Sequence, residues 1–323
     1  MSNPTARKEK FHWLRSWWPL LVHSYNDWLE DRALRFSAAL AYYSIFSIAP
    51  LIVIAISAAG LFFGEQAARG EIFHEIETLT GPKAAAEIQS IIQASSDKPK
   101  SLFATLIGVG TVILGASGVF AQLKDALNAI WGVRLKKTGG IIAMMKDYAL
   151  SFSIVLAIGF LLIVSLLFSA MLQAISTYLK DYIALPTFAA PLAELTTFAL
   201  LTILFALIYK VLPDVKIGWR DVWIGAVFTS IFFTIGKFLI GLYLGTSSVA
   251  SGFGAAGALI LILVWVYYST TIFFFGAEFT KVFAREYGCG IEPTHRAEVV
   301  TNAERCEQGL GKHPAQSNPS VAI

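Results

Sequence analysis

From Phe238 to Ala277 the chain runs for forty residues without one Asp, Glu, Lys or Arg. In ordinary globular domains about a quarter of residues are charged, so a water-soluble fold has no place for such a stretch. A helix needs ~20 apolar residues to cross ~30 Å of hydrocarbon. The stretch therefore holds the end of one crossing, a turn at TSSVASGFG (246–254) and another crossing. Read the same way, the whole chain carries six spans, at about 37–63, 101–123, 148–172, 192–210, 222–245 and 255–279. None alternates apolar with polar residues, which excludes barrel strands of ~9–11 residues. Composition agrees: 56% of residues are hydrophobic, 15% are charged, and mean hydropathy is +0.63. The expected fold is an all-α integral membrane protein with six transmembrane helices and amphipathic helices outside the spans.

Orientation follows from the loops, because Lys and Arg concentrate on the cytoplasmic side. Of the 25 basic residues, 19 fall in the N-terminal segment, in 124–146, in 210–220 and from 281 onward. Five fall in the opposite loops, and the last, Lys237, lies inside a span. Both termini are expected in the cytoplasm. The expected division is a cytoplasmic interfacial segment over 1–36, a membrane domain over 37–284 and a disordered cytoplasmic tail over 285–323, polar with scattered Gly and Pro. No cleavable signal peptide is expected ahead of the first span.

The N-terminal stretch FHWLRSWWPLLVHSYNDWLEDRALRF mixes Trp13, Trp17, Trp18 and Trp28 with charges, as helices in the headgroup layer do. In the external loop 64–100, Ile72, Phe73, Ile76 and Leu79 recur at helical spacing, and Ile88, Ile91 and Ile92 follow the Gly81-Pro82 break. Two amphipathic helices are implied. They cap the bundle, lie on the outer leaflet or dock a partner.

A charge placed in hydrocarbon costs at least ~2.5–3.5 kcal/mol, and so normally faces a partner or a cavity. Lys237 lies roughly 12 Å below the external surface, and Glu194, near the external end of span four, is its natural counter-charge. Glu278, at the other end of span six, is too distant in depth. The Lys237 and Glu194 pair reads either as a satisfied contact between helices or as a hydrated site for an anionic substrate. At the inner end of span two, Gln122, Lys124, Asp125 and Asn128 form a dense polar face. It is either an inner gate or a loop anchor. Pro50 frees a backbone carbonyl within span one and is a hinge candidate, and Gly241 with Gly245 forms a weak packing motif.

The five histidines (His12, His23, His74, His295, His313) are isolated, Cys289 and Cys306 carry no metal-ligand spacing, and phosphate-binding and nucleophile motifs are lacking. No enzyme, metal, cofactor or nucleic-acid partner is expected.

Four ordered segments then resemble one family. ALAYYSIFSIAPLIVI (39–54), GVFAQLKDALNAIWGV (118–133), YKVLPDVKIGWRDVWIGAVF (209–228) and GALILILVWVYYSTTIFFFGAEFTKVFA (257–284) are similar to the YihY/BrkB family of bacterial inner-membrane proteins. The resemblance covers about residues 20–285 and implies a six-span protein. The family has carried the labels of tRNA-processing ribonuclease and serum-resistance virulence factor, and is associated with envelope lipid traffic. The residues offer nothing for phosphodiester hydrolysis. The resemblance implies a transporter or a translocator of lipids or other amphiphiles; the expected partners are membrane lipids and, from the reading of Lys237, an amphiphilic or anionic substrate. The alternative is a non-transporting scaffold for envelope assembly acting through 64–100.

Overall fold

The computed structural model describes residues 5–45, 118–136, 186–246, 257–288 and 290–307, with isolated positions between 64 and 89. In chain order these form α1 (Thr5–Glu30), α2 (33–45), α3 (118–130), β1 (Val133–Leu135), α4 (Pro186–Val211), β2 (Val215–Lys216), α5 (Trp219–Thr246), α6 (Gly257–Glu286), β3 (Glu292–Pro293), β4 (Ala297–Val299) and α7 (Asn302–Glu307). Among the described residues three helices are long and apolar enough to cross a membrane: Glu194–Val211, Trp219–Tyr243 and Ile260–Glu286. They coincide with the fourth, fifth and sixth expected spans, although the last helix continues seven residues past the expected boundary at 279. Residues 37–45 and 118–123 are helical, as expected of spans one and two. Span three and Pro50 lie outside the described residues.

The long helix α6 is the axis of the described bundle. It packs against α5 on one side and α1 on another, while α4 packs on α5. Between α5 and α6 the close approach is reciprocal. A Cβ added at Gly225 collides with Thr280 of α6, and one added at Gly276 collides with Thr229 of α5. Both pairs read Gly-x-x-x-Thr on antiparallel helices, and small residues at such spacing let backbones approach. Each threonine donates its hydroxyl to the carbonyl four residues back, Thr229 to Gly225 and Thr280 to Gly276, at 2.7 Å. The hydroxyl is thus satisfied within its own helix, and it is the threonine's hydroxyl end that occupies the opposing glycine's space. Gly241, by contrast, has nothing within 4 Å of its added Cβ, so the described contact does not use that residue of the expected Gly241/Gly245 motif.

Aromatic residues fill the interior where α2, α3, α4 and α6 meet. Tyr209, fully buried, donates to the Phe273 carbonyl at 2.7 Å and touches the Thr229 hydroxyl at 3.1 Å, fastening α4 to both neighbours. From the loop expected to be external, Phe73 packs on the small cluster of Ala41, Ile262 and Val266. The described positions 66, 69, 70, 73, 77, 86 and 89 are helical on both sides of Gly81-Pro82.

The N-terminal helix, expected to lie in the headgroup layer, has one face committed to protein. Leu20 is buried with Phe228, Phe279 and Val282, and Trp17 stacks on Phe279 with centroids 5.9 Å apart. Trp18, Val22, Tyr25 and Leu29, at helical spacing on the other side, stay exposed. Arg32, with φ at 54°, ends α1 and redirects the chain into α2.

The tail expected to be disordered from 285 onward is folded as far as Glu307. Strand β4 pairs antiparallel with β1, placing Arg134 opposite Glu298, and β3 pairs with β2, placing Val215 opposite Pro293. Ala297 and Val300 are buried. Thr301 and Glu304 form a capping box for α7: the Thr301 amide donates to Glu304 Oε2 at 3.1 Å, and the Glu304 amide donates to Thr301 Oγ1 at 3.4 Å. A polar segment folds here because partners far away in the sequence satisfy its backbone. Residues 308–323 lie outside the described residues.

Candidate functional site

Charged side chains gather at one end of the bundle, called here the polar end. Asp27 and Asp31 are four residues apart and so lie on one face of the helical turn leaving α1. That face meets the last turns of α6. Lys281 Nζ donates to Asp31 Oδ2 at 3.0 Å, and lies 2.6 Å from Glu278 Oε2 and 3.4 Å from Asp27 Oδ2. Arg285 reaches Asp27 at 3.4 Å. From the folded tail, the Arg305 guanidinium donates to Asp31 Oδ1. The cluster has three carboxylates facing three cations, and Asp31, Glu278, Lys281 and Arg305 are all buried. Glu278 is fully enclosed, and neither of its oxygens receives a well-directed hydrogen bond.

The electrostatics at Asp31 can be resolved into opposing parts. Burial opposes its charge and is the largest single influence, but the Lys281 ammonium, the Arg305 guanidinium and hydrogen bonds with Glu278 and Lys281 together outweigh it. The carboxyl is held below its ordinary range. At the tail, hydrogen bonds from the Thr301 amide and hydroxyl, with Arg134 alongside, hold the Glu304 carboxyl below its ordinary range. Arg134 also pairs with Glu298 at 2.8 Å and with Glu304 at 2.7 Å.

A second polar contact joins α3 to the loop after α4. Asn128 Nδ2 donates to Asp214 Oδ2 at 2.9 Å, the Asp214 amide donates back to Asn128 Oδ1 at 2.9 Å, and Lys124 Nζ lies 3.0 Å from Asp214 Oδ2. This is the geometry of a loop anchor. Of the four residues read as one polar face, the structure brings Lys124 and Asn128 together on Asp214. Gln122 remains half-buried, and Asp125 stands exposed on the wall of an open cleft of about 220 Å³. Asn128, Arg134, Val300 and Arg305 also line that cleft.

The structure does not bring Lys237 and Glu194 together. Lys237 is half-buried on α5 and Glu194 is exposed near the start of the membrane-crossing part of α4; among the described residues neither has an ion pair. Lys237 follows Gly236, which packs tightly on Ile272 and Tyr268 of α6.

Sequence reasoning missed Asp27, Asp31, Lys281, Asp214 and Arg305. Glu278 and Lys281, three residues apart and the first charges after a run of forty uncharged residues, were a visible signal. So was the Thr301-x-x-Glu304 capping pattern in a tail read as disordered. The partners of Arg305 and Asn128 lie 274 and 86 positions away, beyond any local signal.

A family model described as Virulence factor BrkB matches residues 24–300. The chain is similar to a UPF0761 membrane protein of Saccharophagus degradans, with 27% identity over 80% of this chain and 58% of the relative. A UPF0761 membrane protein of Mannheimia succiniciproducens is 29% identical over 80% of this chain and 87% of its own length. One from Pseudoalteromonas translucida is 23% identical over 88% and 90%. The chain thus spans little more than half of the first of these relatives and most of the other two. No solved structure matches it.

Proposed function

This chain belongs to the BrkB family of bacterial membrane proteins, and on that premise we propose that it is a six-span inner-membrane transporter that moves a lipid or other amphiphile with an anionic head group. The observation that carries the proposal is Lys237. It sits well inside a membrane-crossing helix, half-buried, with no counter-charge among the described residues. A cation in that position is costly unless something anionic or aqueous meets it. A lipid phosphate or an amphiphile's carboxylate supplies the missing charge, and Glu194, exposed on the neighbouring helix, does not.

In this reading the polar end faces the cytoplasm and both termini lie there. The basic loops support that orientation. So does the start of α5, where Trp219 and Trp223 are exposed and Lys210 Nζ lies 5.4 Å from the Trp219 ring, as aromatic and basic side chains do at the headgroup level. Transport proceeds by alternating access: the external side opens to Lys237, and the inner side is closed by the Lys124 and Asn128 grip on Asp214. The chain makes and breaks no covalent bonds and needs no cofactor.

The test is lipid movement in proteoliposomes. Wild-type protein should transfer a fluorescent lipid with an anionic head between leaflets faster than protein-free vesicles do. Lys237→Met should abolish the effect and Lys237→Arg should largely keep it. A folded Lys237→Met protein that moves lipid at the wild-type rate contradicts the site.

A further inference from the structure

Residues 290–307 cross the polar end and touch every described segment that meets there. Strand β4 lies on β1, β3 lies on β2, the Thr294 amide donates to the Asp214 carbonyl at 3.0 Å, and Arg305 enters the charge cluster beside α1. We infer that this segment is a releasable strap that holds the polar end closed, with Arg305 as its key.

Three features point to release as a unit. First, the strap is short and held by few contacts: ladders of three and two residues, the Arg134 pairs with Glu298 and Glu304, the Arg305 bond to Asp31, and, among the described residues, only Ala297 and Val300 as buried apolar side chains. So short a segment opens locally at lower cost than the helix bundle beneath it. Second, α6 ends in a turn of its own at the root of the strap. The amides of Gly288 and Gly290 both donate to the Ala284 carbonyl at 3.2 Å, and Gly290 takes φ of 81°, a left-handed turn that suits glycine. The strap can leave this pivot without unravelling the helix. Third, the key residue already borders water: Arg305 lines the open cleft together with Asp125, Asn128 and Arg134, so hydration of the departing guanidinium offsets part of the lost ion pair.

The strap also ties together loops that must separate if the inner side opens. It joins 133–135, which follows α3, to 215–216, which links α4 with α5. Its role as the inner closure rests on the transport reading above; its release does not.

Two measurements separate these. Hydrogen–deuterium exchange of the full chain in nanodiscs should show 290–307 exchanging faster than α5 and α6. Arg305→Ala should accelerate it about tenfold or more, well beyond any change in those helices, and Arg305→Lys should restore most of the protection. Protection of 290–307 equal to that of α6, or equal acceleration of α6 in Arg305→Ala, overturns the strap and makes the segment a fixed part of the bundle. For the gating role, Leu135→Cys and Ala297→Cys, opposite one another on β1 and β4, are introduced with Cys289→Ser and Cys306→Ser. Oxidation should arrest lipid movement in proteoliposomes and reduction should restore it. Undiminished movement in the oxidised protein overturns the gating role and leaves transport intact. A wild-type protein that moves no lipid sinks the transport reading, and the gating role with it, while the exchange result still decides release.

Discussion

The Arg305 guanidinium donates to the Asp31 carboxylate across 274 positions of sequence, both side chains are buried, and Lys281 holds the carboxylate's other oxygen. Removing one member of such a pair strands the other in a poorly solvated place. Arg305→Ala should therefore destabilise the protein by about 3 kcal/mol, the lower end for buried pairs because the strap lies at the surface of the bundle. Asp31→Asn should cost a similar amount, and the double variant much less than the sum. Thermal unfolding in one detergent checks all three, and strictly additive losses would show that the pair is not coupled.

Acid should loosen the same contact. The Asp31 carboxyl is held below its ordinary range in the folded chain, so the unfolded chain binds its proton more readily. The sign follows: its stabilisation is complete above the ordinary aspartate value of about 4 and is lost as pH falls through the lower folded value. Unfolding temperatures measured from pH 7 downward should drop more steeply at the acid end for wild type than for Asp31→Asn. Parallel curves would mean that Asp31 titrates alike in both states.

The glycines between α5 and α6 allow a third prediction. Because a Cβ at Gly225 collides with Thr280, Gly225→Val should cost about 1–3 kcal/mol through overpacking. Gly241→Ala has open space and should be neutral or slightly stabilising. Comparing the two unfolding midpoints is sufficient, and equal shifts would contradict the interface.

Arg32 offers a fourth. A non-glycine residue in the left-handed region costs of order 1–3 kcal/mol, and Arg32 is exposed, with φ at 54°. Arg32→Gly should be tolerated or stabilising, whereas the β-branched Arg32→Val should lower the unfolding midpoint. A valine as stable as the glycine would mean that the turn relaxes freely.

Much of the membrane-crossing fold was legible because hydrophobic runs are local. Glu194–Val211, Trp219–Tyr243 and Ile260–Glu286 each announce themselves within about twenty-five residues. The dense face from Gln122 to Asn128 was legible as polar, but its partner Asp214 was not, since nothing local couples residues 86 positions apart. The tail was misread for a related reason. Strands of two and three residues carry no periodicity, and β3 and β4 exist only because β2 and β1 present edges to them. Glu278 lies too far in depth to be the counter-charge of Lys237. Its own neighbours, Lys281 one turn on and Asp31 from the distant N-terminal segment, make the charge cluster that the apolar pattern conceals.

The central claim is that Lys237 meets an anionic ligand inside the membrane. Native mass spectrometry of the full chain released from nanodiscs, wild type beside Lys237→Met, tests it most directly. The account predicts a specific anionic lipid or amphiphile retained by wild type and lost from the variant. The same bulk lipids on both proteins would contradict it and make Lys237 a structural residue.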